Sequence, residues 1–432
     1  MNEKKTKLNF ETTTLSVVPE NERKSWLDVA FIQAGVYICV PSLMLGGLLV
    51  DGMGLTNAII AGTVGYLLSG LIMSFIGVIG ADLGRPTAVI AQSSFGKTGA
   101  RLLVSSLFAI SQFGWFAVQN VVCGEAFSVM IESMFHISVP VVISTAIWGI
   151  IMLSTAVKGI DGLKWLNTIC VPLLFIVFVI GMIMALNKFG TGNMGAAAAG
   201  EPMSMVNGIF LTLSFLSCGM TVAPDVTRYQ KSRGGVYASS FIGLCPAGII
   251  LLIVGAVLTK VTGEFDISLV LLQAGIPSLG LIVLILATWT TNTNNAYCAG
   301  ISAIMLFNLK DDKRATTTAI CGVIGTILAM LGFDQVMDSF INLLGVLFFP
   351  VAGIMIADYW IIRKGKASNW KLVNSFNIAG TASWIIGCLI TYFSPFGLLL
   401  GFLASGILYL GIYKAANIQK KELPETVSGT AK

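Results

Sequence analysis

The sequence predicts an all-α polytopic membrane protein with twelve transmembrane helices. Its 432 residues are 55% hydrophobic and only 11% charged, whereas soluble domains carry about 25% charged residues. Long apolar runs alternate with short polar connectors, and a run of about 20 apolar residues crosses a bilayer as a helix that satisfies its own backbone. A β-barrel would show short segments of alternating polarity instead.

The apolar runs define twelve spans, numbered here in chain order. They cover residues 27–50, 57–80, 101–129, 138–157, 165–186, 204–223, 237–259, 277–307, 315–333, 338–361, 374–393 and 395–413. The first 25 residues are polar and lack the apolar core of a cleavable signal peptide.

The basic residues predict the orientation. With a cytoplasmic N-terminus and alternating spans, all of the 26 Lys and Arg residues except Lys188 and Lys260 fall in cytoplasmic segments. This distribution follows the positive-inside rule for cytoplasmic loops. We therefore expect both termini on the cytoplasmic side of a plasma or bacterial inner membrane. The net charge of +5 reflects this bias and does not indicate nucleic-acid binding.

The sequence lacks the residues that an enzyme or a metal cluster would need. The single histidine, His136, lies in a predicted outer loop, and the eight Cys residues lie in or beside apolar spans without C-x-x-C spacing. Thiols in such places usually pack as small hydrophobic groups. We expect no nucleophile–base pair and no cofactor.

Two spans carry helix-interrupting residues at corresponding positions. Span 1 has Gly35 and Pro41 near its middle, and span 6 has Gly219 and Pro224. Proline removes a backbone donor and frees carbonyls before it, and paired interruptions in two halves of a transporter mark its substrate site. Two ordinary proline kinks are the alternative.

The separation of five spans predicts an inverted repeat of spans 1–5 and 6–10, with two helices appended. An odd number of spans in each repeat places the second copy upside down in the membrane. The expected parts are a tail at 1–25, the repeats at 26–190 and 200–362, spans 11 and 12 at 372–414, and a tail at 415–432.

Span 3 carries a polar face. Gln112, Trp115 and Gln119 recur at i, i+3 and i+7 and therefore share one side of the helix. An indole beside two amides suits a planar ring with a hydrogen-bonding edge. A packing Trp with interhelical amide bonds is the alternative.

Span 8 contains the run "ATWTTNTNNAY" at 287–297, in which Ala287, Thr290, Thr291 and Asn294 share one face. Threonine hydroxyls and the freed carbonyls of span 1 are hard neutral oxygens that suit Na⁺. Bonding of the hydroxyls back to their own helix is the alternative. Acidic residues lie mostly at span ends, with Glu125 deeper in span 3, which favours a metal cation over a proton as coupling ion.

These segments together resemble the nucleobase:cation symporter family 1, and most closely its cytosine permease branch. The similarity covers residues 25–415 and rests on "SQFGWF" in span 3, "SFLSCGMTVAPDVTRY" in span 6, "WTTNTNNAY" in span 8 and "FPVAGIMIADYW" in span 10. It implies a LeuT-type fold, alternating access, and Na⁺-coupled uptake of a nucleobase, most readily cytosine, by a monomer.

The resemblance also implies the residues of two sites. The sodium ligands would be the carbonyls of Gly35, Ile38 and Ala287 and the hydroxyls of Thr290 and Thr291. The substrate residues would be Trp115 and Phe215 as stacking walls, Gln112 and Ser217 at the polar edge, the backbone near Gly35 and Ser214, and Cys39 and Asn292 facing the cavity.

The sequence departs from the cytosine permease pattern at two positions. Cys39 stands where that branch carries an aromatic residue, and Ala287 stands where it carries Asn. Ala287 still supplies a carbonyl, whereas Cys39 would enlarge the pocket. A purine, a hydroxymethylpyrimidine and an allantoin-like heterocycle therefore stay open as substrates. Glu125 in span 3 keeps proton coupling open as well. A channel is a weaker alternative, since a channel seldom needs two broken helices.

Overall fold

The computed structural model describes residues 15–158, 160–192, 194–195, 200–263, 277–418 and 422–423. Within these residues, each predicted span is helical. Span 1 consists of two helices, α1 (Trp26–Tyr37) and α2 (Val40–Met53). Spans 2 to 12 are Leu55–Leu83, Ser105–Phe135, Val141–Ala156, Ile160–Phe189, Met205–Thr221, Arg233–Thr262, Pro277–Phe307, Arg314–Met330, Met337–Ile356, Ile378–Phe393 and Gly397–Ala415.

Length and hydropathy support a chain that crosses the membrane many times. Six continuous helices of the described residues are long and apolar enough to cross a bilayer, and α1 with α2 makes a seventh. Four more apolar helices are shorter: Val141–Ala156, Ile176–Phe189, Arg314–Met330 and Ile378–Phe393.

The predicted interruption of span 1 is confirmed. Helix α1 begins at the Ser25 capping box, in which Asp28 is the reciprocal partner, and α2 departs from α1 at 56°. Pro41 lies in the first turn of α2, where its missing N–H costs no hydrogen bond. The break falls at Ile38 and Cys39, in the middle of the span.

Span 6 is interrupted more mildly and closer to its end. Its helix continues through Gly219 to Thr221, and a turn at Val222 and Ala223 leads into a last helical turn, Pro224–Thr227. The stretch Met205–Thr227 passes as one continuous span, without the sharp bend seen in span 1. Pro224 starts a helical turn instead of disrupting one, so the two predicted interruptions are unequal.

Glycines allow close approach between α2 and span 7. A Cβ atom at Gly46 would lie 2.1 Å from the carbonyl oxygen of Leu252. A Cβ atom at Gly255 would lie 2.0 Å from the carbonyl oxygen of Leu43. Small residues at helix interfaces give the tight packing on which membrane helices depend, so the position of α2 is set by these contacts.

Polar side chains clamp spans 2, 7 and 10 at the end of the bundle where the chain enters span 1, here called the N-terminal face. Arg233 binds the Asp82 carboxylate through two nitrogens, at 3.0 and 2.6 Å. The Tyr359 hydroxyl donates to the same carboxylate, and the guanidinium lies 5.5 Å above the Trp360 ring.

The chain beyond span 12 returns to this face. Strands β1 (Leu372–Val373) and β2 (Glu422–Leu423) pair antiparallel. Arg363, just after span 10, lies 3.4 Å from Asp358 and 2.5 Å from Glu422. Burial alone would lower the pKa of Arg363, but the two carboxylates raise it above its usual value, so the guanidinium stays charged.

We predict that Gly46→Ala lowers the thermal stability of the purified protein. The added methyl would displace span 7, and overpacking costs about 1–3 kcal/mol. Gly411→Ala in span 12 is the control, because nothing lies within 4 Å of the position of its Cβ and Ala is the better helix former. Equal melting temperatures for the two variants would contradict the packing described here.

Candidate functional site

A cavity of about 90 Å³ lies among spans 1, 2, 3, 6 and 8, beside the interruption of span 1. Span 1 contributes Gln33, Val36, Tyr37, Cys39 and Pro41; span 2 contributes Met73; and span 3 contributes Gln112, Trp115 and Gln119. Span 6 contributes Phe215, Leu216, Cys218, Gly219, Val222, Ala223, Asp225 and Val226. Span 8 contributes Thr291, Asn294, Asn295 and Cys298.

Three glutamine side chains bring hydrogen-bonding groups to this cavity. Both side-chain polar atoms of Gln33 are buried without a partner among the described residues, as are the Oε1 atoms of Gln112 and Gln119. Within the part of the chain that the structure describes, the amide nitrogen of Gln112 donates only to the Cys218 sulfur, at 3.5 Å. An unpaired buried polar group costs about 1–3 kcal/mol. These groups are therefore available to a polar ligand.

The residues of span 8 that line the cavity lie on one side of its helix. Thr291, Asn294, Asn295 and Cys298 follow at i, i+3, i+4 and i+7, the spacing of one side of a helix. Asn295 also donates to the Asn292 side-chain oxygen, at 3.1 Å. The neutral amides of this face add to the polar lining supplied by spans 1 and 3.

One aromatic wall of the cavity is formed by Trp115 of span 3 and Phe215 of span 6. The centroids of Trp115 and Phe215 lie 5.3 Å apart with their planes at 83°. Phe340 contacts Trp115 at 5.4 Å and 70°, in space that a Cβ atom at Gly114 would fill. Edge-to-face rings leave no parallel slot between them. In this conformation a planar ligand has one ring face to stack on, and a sandwich requires Trp115 and Phe215 to separate.

Next to the cavity, three oxygens of span 8 converge. The hydroxyls of Thr290 and Thr291 both donate to the carbonyl of Ala287, at 2.8 and 3.1 Å. Both threonines are almost fully buried, with exposures of 1% and 4%. In this conformation the two hydroxyls therefore bond back to their own helix, which was the alternative to an ion site. The same contacts bring three hard neutral oxygens close together.

The interruption of span 1 leaves backbone carbonyls without helical partners. The N–H of Ile38 donates to Ala34, and the Ser42 hydroxyl donates to the carbonyl of Tyr37. Among the described residues, no backbone N–H donates to the carbonyl of Gly35 or of Ile38. Ile38 packs in the same buried cluster as Ala287 of span 8. The side chain at the interruption therefore belongs to the same apolar core as this part of span 8.

The structure brings together only some of the predicted site residues. Gln112, Trp115, Phe215, Cys39 and Thr291 line the cavity, whereas Gly35, Ile38, Ala287 and Thr290 are not among its lining residues. The predicted roles of all nine stay predictions.

Three other predicted substrate residues do not line the cavity. The Ser217 hydroxyl donates to the carbonyl of Ser214 in its own helix, at 2.7 Å. The Ser214 hydroxyl lies against span 10, where a Cβ atom at Gly345 would come within 2.3 Å of it. The Asn292 amide donates to the carbonyl of Phe116, at 3.0 Å.

The prediction that the Asn292 side chain faces the cavity is wrong. One residue turns a helix by about 100°, which moves the side chain from the cavity face of Thr291 to the interface with span 3. The residues beyond it, Asn294 and Asn295, take the cavity positions. Asn294 already shares the face predicted for Thr291, and Asn295 follows Thr291 at i+4 and could have been added to that face.

Sequence reasoning also missed Gln33, Tyr37 and Asp225 as lining residues. Gln33 is the one polar side chain in "AFIQAGVY", directly before the interruption, and that position is a usable signal. Tyr37 fits only because span 6 has Gly219, where a Cβ atom would lie 2.7 Å from the tyrosine oxygen. Asp225 accepts a hydrogen bond from the Thr87 backbone N–H, at 2.7 Å, and it is the acidic residue of the described lining.

Comparison with known proteins places the chain in a family. The profile of the permeases for cytosine/purines, uracil, thiamine and allantoin matches residues 17–411, so the chain belongs to this permease family. The cytosine permease of Escherichia coli (strain K12) is 29% identical over 350 residues, covering 80% of each chain. The hydantoin permease of Microbacterium maritypicum is 25% identical over 380 residues, covering 82% of this chain and 75% of the relative.

Solved structures show the same fold. Mhp1, a nucleobase-cation-symport-1 family transporter in a closed conformation with bromovinylhydantoin bound, matches with a TM-score of 0.84 at 19% identity. The match covers 98% of this chain and 99% of that one. It confirms the predicted fold class, a polytopic LeuT-type helical bundle. The protein is a multi-pass membrane transporter for substrates of the nucleobase type and is not an enzyme.

We predict that Gln33→Leu leaves the melting temperature of the ligand-free protein unchanged or raises it. The substitution removes two buried polar atoms that have no partner in the described structure, and each such atom costs about 1–3 kcal/mol.

The matched control for this prediction is Gln230→Leu. Gln230 is equally buried, but its amide donates to the Ser239 hydroxyl at 2.9 Å, so its loss should lower the melting temperature. If Gln33→Leu destabilised the protein as much as Gln230→Leu does, the Gln33 amide would be a structural group and not one held ready for a ligand.

Proposed function

We propose that the protein is a Na⁺-coupled symporter that takes up a neutral nucleobase, with cytosine as the first choice, by alternating access. The observation that supports this proposal most strongly is that two sites lie side by side. A cavity with partnerless amide groups and an aromatic wall lies directly against the oxygen cluster of Ala287, Thr290 and Thr291. Thr291 belongs to both.

The charges of the cavity favour a neutral ligand rich in hydrogen-bonding groups. Its described lining contains the Asp225 carboxylate and no Lys, Arg or His side chain. Arg228 lies beside Asp225, where its Nε donates to the Asp225 carbonyl at 3.2 Å, but it does not line the cavity. An anion would therefore meet a carboxylate and no cation in the described lining, and burying an unpaired charge is costly. Amide donors and acceptors suit the edge of a nucleobase, and a site built for particular partners rejects an analogue that leaves them unpaired.

The resemblance to cytosine permeases supports cytosine as the substrate, and the E. coli relative carries that name. Cys39 lines the cavity where an aromatic residue would narrow it. A purine, a hydroxymethylpyrimidine or a hydantoin or allantoin-like ring is therefore the alternative substrate class, and the hydantoin permease among the relatives fits that alternative.

Sodium is the proposed coupling ion because the donor set is neutral and hard. The hydroxyls of Thr290 and Thr291 with the carbonyl of Ala287 would supply three ligands, and the freed carbonyls of Gly35 and Ile38 would complete the set. Na⁺ entry supplies about 2.3 kcal/mol per charge for each 100 mV of membrane potential.

Proton coupling is the second candidate because Asp225 lies in the cavity wall. A buried carboxylate in a membrane transporter often serves as a proton carrier. Asp225 also accepts a hydrogen bond from the Thr87 backbone N–H, so a positioning role is the alternative for this carboxylate.

The orientation proposed for this function places the N-terminal face in the cytoplasm of a plasma or inner membrane. The positive-inside distribution of Lys and Arg supports it. The monomer remains the proposed working unit.

A thermal-shift screen of the purified protein against nucleobases, with Na⁺ or with choline, tests the proposal. A ligand that binds only the folded state raises stability by mass action. We expect stabilisation by cytosine in Na⁺ but not in choline, and none by the anionic pyrimidine orotate. Stabilisation by cytosine at low pH without Na⁺ would favour the proton alternative, and stabilisation by orotate would contradict the charge argument.

We predict that Thr291→Ala raises the Na⁺ concentration for half-maximal uptake about tenfold, the equivalent of about 1.4 kcal/mol of ion binding. Thr291→Ser keeps the hydroxyl and should restore most of the Na⁺ affinity.

Thr293→Ala is the matched control on the same helix. Thr293 is buried and bonds back to the carbonyl of Trp289 at 2.8 Å, but it does not touch Ala287. Its loss should leave the Na⁺ dependence unchanged. The same Na⁺ dependence in Thr291→Ala and Thr293→Ala would remove Thr291 from the ion site.

A further inference from the structure

Two contacts join spans 3 and 6 beside the cavity. The rings of Trp115 and Phe215 meet with their centroids 5.3 Å apart. Three residues before Trp115, the Gln112 amide nitrogen donates to the sulfur of Cys218, which follows Phe215 by three residues, at 3.5 Å. Three residues advance a helix by about 4.5 Å, so a polar contact lies one step along the cavity from the aromatic wall. All four residues line the cavity.

Cys218 is held in place to accept this hydrogen bond. It lies within the continuous helix Met205–Thr221 of span 6 and is 1% exposed. The Ser111 hydroxyl oxygen lies 2.7 Å from its sulfur. Among the described residues, the side-chain hydrogen bonds of Cys218 thus go to two adjacent residues of span 3, Ser111 and Gln112.

The contact with Cys218 fixes the orientation of the Gln112 amide. The nitrogen of a primary amide is a donor and its oxygen is an acceptor, and both are bonded to the same carbon. With Nε2 turned to the sulfur, Oε1 is turned away from Cys218, and it has no hydrogen-bond partner among the described residues. A buried acceptor without a donor is unfavourable, so Oε1 is the atom of Gln112 that a ligand would pair with.

The spacing of the two contacts suits one flat heterocycle. A ring that stacks on the aromatic wall would bring its edge toward Gln112, because the two contacts are separated by about 4.5 Å. An amide oxygen accepts hydrogen bonds and donates none. It can therefore pair with an amino group on that edge, whereas an oxo group in the same place would leave two acceptors facing each other.

We propose that Cys218 is a positioning residue that makes the site select amino-substituted nucleobases over their oxo counterparts. It holds the Gln112 amide with Oε1 free for the ligand, so cytosine is preferred to uracil, and adenine to hypoxanthine if the substrate is a purine. This inference rests on the proposed function, since it concerns how a neutral nucleobase is recognised. A thiol that only filled space could be removed without changing this selection.

The first test measures dissociation constants of cytosine, uracil, adenine and hypoxanthine for the purified protein in Na⁺. In the pair that binds, wild type should hold the amino base about a hundredfold more tightly than the oxo base, because the oxo base leaves two buried acceptors unpaired. In Cys218→Ala the amide nitrogen loses its acceptor and the amide can turn to donate to an oxo group. The ratio should then fall to about tenfold or less.

Two further variants separate positioning from packing. Cys218→Ser keeps an acceptor in place and should retain most of the selection. Cys245→Ala is the matched control: Cys245 is also a buried thiol with a hydrogen bond of 3.5 Å, to the Tyr66 carbonyl, but it does not line the cavity. Its ratio should equal that of wild type.

A second measurement needs no ligand. The infrared S–H stretching band of Cys218, identified by its loss in Cys218→Ala, should shift in Gln112→Leu because the thiol loses its contact with the amide. Gln230→Leu also removes a buried amide, but one that donates to Ser239, and it should leave the band in place.

Three results would overturn the assignment. They are an equal amino-to-oxo ratio in wild type and a monodisperse Cys218→Ala variant, a wild-type preference for the oxo base, and a Cys218 band that stays unshifted in Gln112→Leu. Failure of all four bases to bind wild type would contradict the proposed function instead, and the infrared band would still decide whether Cys218 holds Gln112.

Discussion

A membrane interior offers no water to a backbone carbonyl that lacks a partner, and the interruption of span 1 creates such carbonyls in the middle of the bundle. The protein meets part of this demand internally, because Ser42 donates to the carbonyl of Tyr37 and Tyr66 donates to Ser42. The carbonyls of Gly35 and Ile38 keep no described backbone donor. The rest of the site is arranged around these two carbonyls, which lack hydrogen-bond donors from the backbone.

The neighbouring helices supply what the interruption needs. Gly46 and Gly255 let α2 lie directly on span 7, which holds the second half of span 1 while α1 departs at 56°. Span 8 presents the Ala287 carbonyl with two threonine hydroxyls. A cation bound between spans 1 and 8 would replace missing hydrogen bonds on one side and redirect hydroxyls on the other. Ion binding would therefore stabilise one arrangement of the two spans.

Thr291 links the ion and the substrate in this account. Its hydroxyl contacts the Ala287 carbonyl, and its side chain also lines the cavity with Gln33, Gln112 and Gln119. An ion that fixes Thr291 changes the wall that the substrate meets, and by thermodynamic reciprocity the substrate changes ion affinity by the same factor. Coupling between the two ligands thus needs no long pathway through the protein.

Much of the fold could be predicted from the sequence because bilayer crossing imposes length and polarity on every span. The interruption of span 1 was also predictable, since Gly35 and Pro41 act locally. The cavity was predictable only in part. Gln112, Trp115 and Thr291 follow from helical spacing, but the side of span 8 taken by Asn292 depends on how the helix is rotated against span 3, which spacing alone does not fix. Ser217 lies outside the lining for a different reason, its bond to its own backbone.

The most direct test of the central claim is accumulation of cytosine in proteoliposomes that contain the purified protein, with an inward Na⁺ gradient or with an equal K⁺ gradient at constant pH. Sodium coupling predicts concentrative uptake with the Na⁺ gradient, and only equilibration or no uptake with K⁺. Equal accumulation under both gradients would contradict sodium coupling.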